Sequence, residues 1–293
     1  MPSTLTVEDY LRVTSLKVNE ALERFLPAEN AIPETLHKSV RYSVFAGGKR
    51  LRPALCLAAY EACGGDANDD RIWLAACSLE MTHTFSLIHD DLPCMDDDDF
   101  RRGRPTNHKV FGEAIAVLAG DSLCVFAFEL LARTHNPDAL LTLAQALGTK
   151  GMLGGQVVDI ESEGKKVGLE TVDYIHWHKT AALIQASLVM GAQLACASEK
   201  VVSGLREFGS RIGLAFQIVD DILDLEGTTE ALGKDAGSDL EREKATYPAV
   251  LGIEESKRKA RELISEAKTT LRSLNLRSEV LELIADFIVT RAN

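Results

Sequence analysis

Two aspartate clusters stand out as the residues able to do chemistry. One is Asp90-Asp91-Leu92-Pro93-Cys94-Met95-Asp96, continued by Asp97, Asp98 and Asp99, and the other is Asp220-Asp221-Ile222-Leu223-Asp224. Each closes an apolar stretch, SLIH before the first and LAFQIV before the second. On a helix the i, i+4 spacing places Asp220 and Asp224 on one face, where like charges repel. Acidic groups at a helix C-terminus also oppose its dipole. Two such violations of local preference call for a compensating ligand. Carboxylates are hard oxygen donors, and magnesium takes one or two of them together with water and phosphate oxygens. Two acidic walls could therefore grip a diphosphate through divalent ions. Pro93 cannot sit inside a regular helix, so the chain is expected to bulge there and bring Asp96 back beside Asp90. A solvated acidic helix end is the plainer alternative for either cluster taken alone.

Cationic groups accompany the acids. Gly47-Gly48-Lys49-Arg50-Leu51-Arg52-Pro53 is a break between helices, where Lys49 and Arg52 could face one anion. It lacks the GxxxxGK[ST] spacing of a P-loop. Arg101 and Arg102 follow the first cluster, and their diverging side chains could serve two phosphates. Lys179, in His178-Lys179-Thr180, interrupts an apolar helix, and Lys234 lies beyond the second cluster. His83 stands about two helical turns before Asp90.

The elements that must position these groups are helical throughout. Periodicity predicts helices over 6–25, 33–46, 53–63, 70–91, 111–134, 138–162, 170–195, 199–226, 245–271 and 277–290. Thr6 with Glu8 and Asp9 reads as a helix start. Period-two alternation is nearly absent, and no repeat of fixed length is apparent. We expect an all-α fold, one domain over 1–293, built as a single bundle of about ten helices around a central cavity. Residues 96–109 and 227–244 are charged, glycine-containing stretches after each acidic cluster, expected to close over the site.

Composition narrows the function. The net charge is −12 and the sequence pI about 5.1, which argues against nucleic acid as a partner. No run approaches the ~18 apolar residues of a membrane span, so an integral membrane protein is not expected. The six cysteines show no zinc spacing and read as reduced thiols of a cytoplasmic protein.

Taken in order, GGKRLRP, HTFSLIHDDLPCMDDDDFRRGRPTNH, GGQVVD, HKT, FQIVDDILD and LGK resemble the short-chain trans-isoprenyl diphosphate synthases across essentially the whole chain. The resemblance implies a homodimer and two or three magnesium ions per site, held by Asp90, Asp96, Asp220 and, less directly, Asp224, with Asp91 supporting. It assigns Arg101, Lys179, Thr180, Gln217 and Lys234 to the allylic diphosphate. Lys49, Arg52, His83 and Arg102 would hold isopentenyl diphosphate. The implied reaction is ionisation of the allylic partner, condensation and proton loss. A bulky aromatic at Phe85, beside Ser86, implies an early stop to chain growth, hence farnesyl diphosphate (C15) as main product. Geranylgeranyl diphosphate (C20) is the alternative. A terpene cyclase would not need the second cationic set, and a non-catalytic subunit would not keep both acidic clusters. A di-iron bundle would need a second partner for the Glu80-Met81-Thr82-His83 string.

Overall fold

The computed structural model describes residues 6–226 and 244–290. Lys234 and nearly all of the second charged stretch lie outside them. The described chain is almost wholly helical, as the sequence predicts. Thr6 caps the first helix by accepting the Asp9 N–H at 3.1 Å. Helices α1 (Val7–Phe25), α2 (Glu34–Val44), α3 (Leu51–Ala62) and α4 (Asp70–Asp90) follow the expected pattern. A short antiparallel ribbon then pairs Phe100–Arg101 with Arg104–Pro105.

Beyond it lie α5 (Asn107–Phe111), α6 (Glu113–Ala132), α7 (Pro137–Leu147), α8 (Met152–Ser162) and α9 (Leu169–Ile175). A π-helical turn, His176–Ala181, leads into α10 (Ala182–Leu194), followed by α11 (Glu199–Glu226). The described chain ends with α12 (Tyr247–Leu251), α13 (Ile253–Arg272) and α14 (Glu279–Thr290).

Three expected helices are interrupted. The 138–162 segment breaks between Gly148 and Gly151, which cap α7 and α8. The 170–195 segment contains the π turn, whose i to i+5 bonding shifts the helical register over only six residues and so leaves little trace in the sequence. The 245–271 segment breaks at Gly252 after the short α12, and the 111–134 segment is preceded by the short α5, which ends at Gly112.

The two junctions share one arrangement. A threonine stands at the N-terminus of a five-residue helix, a glycine follows, and a twenty-residue helix begins: Thr106, α5, Gly112, α6, and Thr246, α12, Gly252, α13. Gly112 has φ 82 and ψ 158, and Gly252 has φ 81 and ψ 160. Side-chain-bearing residues avoid that region, which explains glycine at both. Each long helix then packs on the helix that carries an acidic cluster, α6 on α4 and α13 on α11.

Two apolar clusters form the core. One joins α1, α2, α4, α6 and α7; the other joins α11, α12, α13 and α14; both engage α3 and α10. The acidic ends of α4 and α11 therefore meet at one cavity between the clusters. α6 also revises the membrane argument: it is long and apolar enough to cross a bilayer, with a mean hydropathy of 2.0 over its apolar window. It carries Asp121 and buries one face against α4.

Candidate active site

The first acidic wall is shaped by Pro93. After α4 ends at Asp90, the Met95 N–H donates to the Leu92 carbonyl at 2.9 Å, and the Asp96 N–H reaches back to the Asp90 carbonyl at 2.8 Å. The expected bulge is there, and it sets Asp96 beside Asp90. Burial raises the Asp90 carboxyl above its ordinary range; Lys179 opposes this and the like charge of Asp96 adds to it. Asp91 turns elsewhere. It is buried and accepts the Arg101 Nε–H at 2.6 Å, while an Nη2–H of Arg101 reaches Asp98 at 3.1 Å. Burial pushes the Asp91 carboxyl to about 7 against the pull of Arg101. Asp91 thus holds the arginine rather than facing the cavity.

Across from it, α11 presents Asp220. A cavity of about 530 Å³ is lined by Asp90 and Asp220 together with Arg52, His83, Phe85, Ser86, Lys179, Thr180 and Gln217. Nine sequence-predicted residues from α3, α4, the π turn and α11 therefore converge on one space. Asp224 is buried, 2% exposed, and is not among the lining residues. Leu92, Val117, Met152, Leu153, Leu183 and Phe216 make the apolar part of the wall.

The cations divide. Burial lowers Arg52 to about 10, with Glu80 and Asp220 pulling the other way. His83 is held well below its ordinary value by burial and then by Arg52 and Arg102, so it is neutral. Arg102 donates to the Gly47 carbonyl, and its guanidinium lies where a Cβ on Gly48 would stand, 2.8 Å away. Lys49 is exposed, its Nζ 4.9 Å from the centroid of the Phe287 ring, and does not line the cavity. The Lys179 Nζ donates to Asp159 at 2.5 Å. Burial would lower Lys179, but Asp159 and then Asp90 raise it, so it stays charged. The Thr180 hydroxyl donates to the Gln217 Oε1 at 2.7 Å.

Three contributors escaped the sequence. Gln156 of α8 donates to Asp90 at 3.1 Å, Asp159 of the same helix holds Lys179, and Lys244 donates to Asp96 at 3.1 Å. Gln156 and Asp159 sit in GGQVVD, where two polar residues at i, i+3 in an apolar stretch were the available signal. Lys244 lies in a run of charges that offers none. Arg50 proves structural: it is buried, donating to Glu80 at 2.6 Å, Asn19 at 3.0 Å and the Val44 carbonyl at 2.6 Å. Glu80 is thereby engaged, which removes the di-iron alternative. The 96–109 stretch is anchored rather than loose. Asn107 is buried, accepts the Ser39 hydroxyl at 2.8 Å and donates to the Ser43 hydroxyl at 2.8 Å.

Among the described residues, no group of three or more His, Cys, Asp or Glu side chains is arranged to hold a metal alone. Magnesium needs few carboxylates when phosphate supplies the remaining oxygens. Asp90, Asp96 and Asp220 are the donors that fit. The mutual repulsion of Asp90 and Asp96 also gives a cation a place to act.

Residues 33–283 match the family described as polyprenyl synthetase. The chain belongs to this family. Membership in the polyprenyl synthetases carries the coarse activity, prenyl transfer. The chain is 49% identical to the chloroplastic geranylgeranyl pyrophosphate synthase of Capsicum annuum, over 97% of this chain and 78% of the relative. It is 48% identical to the dimethylallyltranstransferase of Fischerella ambigua, over 99% and 85%. Among solved polyprenyl synthetases, the Caulobacter crescentus polyprenyl synthase complexed with calcium and isoprenyl diphosphate superimposes with a TM-score of 0.88 at 29% identity, each chain covered at 100%.

Proposed function

We propose that this chain condenses isopentenyl diphosphate with an allylic diphosphate and releases diphosphate, with geranylgeranyl diphosphate as main product. The observation that carries the reading is the meeting of Asp90 and Asp220 with Arg52, His83 and Lys179 around one cavity that continues into an apolar wall. A charged end and a greasy end are what a prenyl diphosphate requires. The C20 assignment replaces the C15 expectation, because the similar relatives are chiefly named geranylgeranyl synthases. Phe85 is 7% exposed and stands edge-on to His89, with ring centroids 5.7 Å apart. In this reading it bounds a longer tail than the sequence suggested.

Magnesium held by Asp90, Asp96 and Asp220 would neutralise the allylic diphosphate when bound. Lys179, kept charged by Asp159, and Arg101, oriented by Asp91 and Asp98, add positive charge where the leaving group develops negative charge. Thr180 and Gln217 turn oxygen dipoles toward the electron-poor carbon. Arg52, Arg102 and neutral His83 hold isopentenyl diphosphate, with Lys49 swinging in from the surface. Fixing both partners in one cavity converts an encounter into a positioned reaction. The released diphosphate takes the final proton, so no protein base is required. Lys49, Arg52 and Arg102 also separate this reading from a cyclase, which has no use for a second diphosphate.

A homodimer belongs to the same reading, supported by the exposed apolar face of α6, where Val117, Leu118 and Val125 are 39%, 52% and 69% exposed. A cytoplasmic setting is supported by six free cysteines; the Capsicum relative is named chloroplastic, another reducing compartment. The test is product chromatography of purified protein with labelled isopentenyl diphosphate and C5, C10 or C15 starters, with and without magnesium. Magnesium-dependent incorporation into C20 is expected. Turnover that survives chelation would overturn the metal's role, and a C15 end product would overturn the length.

A further inference from the structure

Asp221 is next to the cavity-lining Asp220 but does not share its direction. It is buried, 3% exposed, accepts hydrogen bonds from Gln217 and Tyr247, and pairs with His176. The Gln217 Nε2–H donates to its Oδ1 at 3.0 Å. The Tyr247 backbone N–H donates to its Oδ2 at 3.0 Å. The His176 Nε2 stands 3.3 Å from the same oxygen. An ionised carboxylate only accepts, so each of these partners must turn a hydrogen toward it. For His176 this selects the tautomer with the proton on Nε2. For Gln217 it selects one of two amide orientations: the NH₂ faces Asp221, and Oε1 must face the other way. The other way is toward Thr180 and the cavity, where Oε1 accepts the Thr180 hydroxyl at 2.7 Å.

We propose that Asp221 is a positioning residue that fixes the Gln217 amide so that its oxygen, not its nitrogen, faces the reacting carbons. The inference rests on the prenyl-transfer reading. In that reaction an allylic carbon becomes electron-deficient as diphosphate departs. A carbonyl oxygen stabilises that carbon, whereas an NH₂ group in the same place would repel it. His176 and the α12 backbone lock the carboxylate itself. His176 lies at the first position of the π turn, three residues before Lys179, and stacks on the Tyr247 ring with centroids 5.3 Å apart. The Tyr247 hydroxyl in turn donates to Asp173 of α9. The chain of contacts thus joins α9, the π turn, α11 and α12 behind a single amide.

The substitution Asp221→Asn makes the idea specific. The backbone N–H of Tyr247 cannot turn, so the asparagine must keep its oxygen there and present its NH₂ to Gln217. Two NH₂ groups cannot face each other; the Gln217 amide flips, and its nitrogen points into the cavity. A second change, Gln217→Glu in the Asp221→Asn background, restores an acceptor on both sides of position 217. Steady-state kinetics with geranyl diphosphate and isopentenyl diphosphate are the assay, with thermal melting as a fold control.

For Asp221→Asn, kcat should fall about 100-fold, with both KM values and the half-saturating magnesium concentration within about threefold. The double variant Asp221→Asn/Gln217→Glu should regain at least about tenfold of kcat, a non-additivity that a loss of packing would not show. His176→Gln, which keeps a donor, should stay within about threefold of the parent, and His176→Leu should lose about tenfold. Should Asp221→Asn melt too early to assay, the two His176 variants decide. The proposal is overturned by any of three results: a double variant no faster than Asp221→Asn, a loss that recovers at high magnesium, or equal kcat in both His176 variants. Absence of any condensation by the parent protein would instead sink the functional reading beneath it.

Discussion

Gly155→Ala tests how closely the site depends on helix α8. A Cβ at Gly155 would stand 2.3 Å from the Lys179 backbone nitrogen and 2.9 Å from the His178 carbonyl carbon. Ordinary carbon contacts begin near 3.4 Å, so α8 or the π turn must give by about 1 Å. Neither neighbour is a flexible side-chain tip that could swing aside. Lys179 to Asp159 at 2.5 Å spans this crossing, and Gln156 to Asp90 at 3.1 Å ties the same helix to the end of α4. A shift of 1 Å breaks both hydrogen bonds and misplaces the lysine, which predicts a fall of about 100-fold in kcat/KM. Overpacking should cost about 1–3 kcal/mol. With an unfolding entropy near 2.1 cal/mol/K per residue over 293 residues, that lowers Tm by about 2–5 °C. Steady-state kinetics and scanning calorimetry provide both numbers. Gly168→Ala is the control, since nothing lies within 4 Å of its Cβ and its φ is −86; it should stay within about twofold. Equal kcat/KM for the two variants would refute the claim that the α8 crossing positions Lys179.

Three further outcomes are expected. Phe85→Ala should lengthen the product beyond that of the parent, and an unchanged chromatogram would remove Phe85 from the wall that stops growth. Burial holds His176 at about 3 in the folded chain, against about 6.5 when unfolded. The lowered value adds stability that is full above pH 6.5 and drains away as pH falls toward 3. His176→Gln should therefore flatten the acid limb of Tm against pH relative to the parent, and parallel limbs would refute this. Val125→Lys, at a site 69% exposed on α6, should convert a dimer to monomer in light scattering, whereas a parent that is already monomeric would dispose of the proposed interface.

What was legible in the sequence is what local patterning governs. Helical periodicity, the Thr6 cap and the Pro93 bulge are local, and each appears where the sequence places it. The two aspartates that line the cavity were legible because like charges at the ends of apolar helices defy local preference. Long-range partners were not. Arg50 and Arg52 differ by two positions, yet one is buried against Glu80 and the other lines the cavity. Nothing in GGKRLRP separates them, because Arg50 is fixed by α1 and α4. Asp91 was expected only to support the magnesium ligands, and its partner Arg101, ten residues on, could not be read from the sequence. Lys244 could not be told from its charged neighbours. The π turn spans only six residues within an otherwise helical stretch, so a continuous helix was the natural reading. Phe85 stands edge-on to His89, a matter of packing that one position in the sequence cannot report.

The paired mounts of the acidic helices have a consequence for direction. Diphosphate is a nearly symmetric anion, and a scaffold that builds its two supports alike would by itself have no preference for which end of the cavity does what. The difference lies in what each support carries. Before Thr106 the chain inserts the ribbon that bears Arg101 and Arg102; before Thr246 it places Lys244. A duplicated chassis with unlike attachments can thus tell a departing group from a retained one. The polarity of bond formation would then be written in the short segments ahead of each five-residue helix.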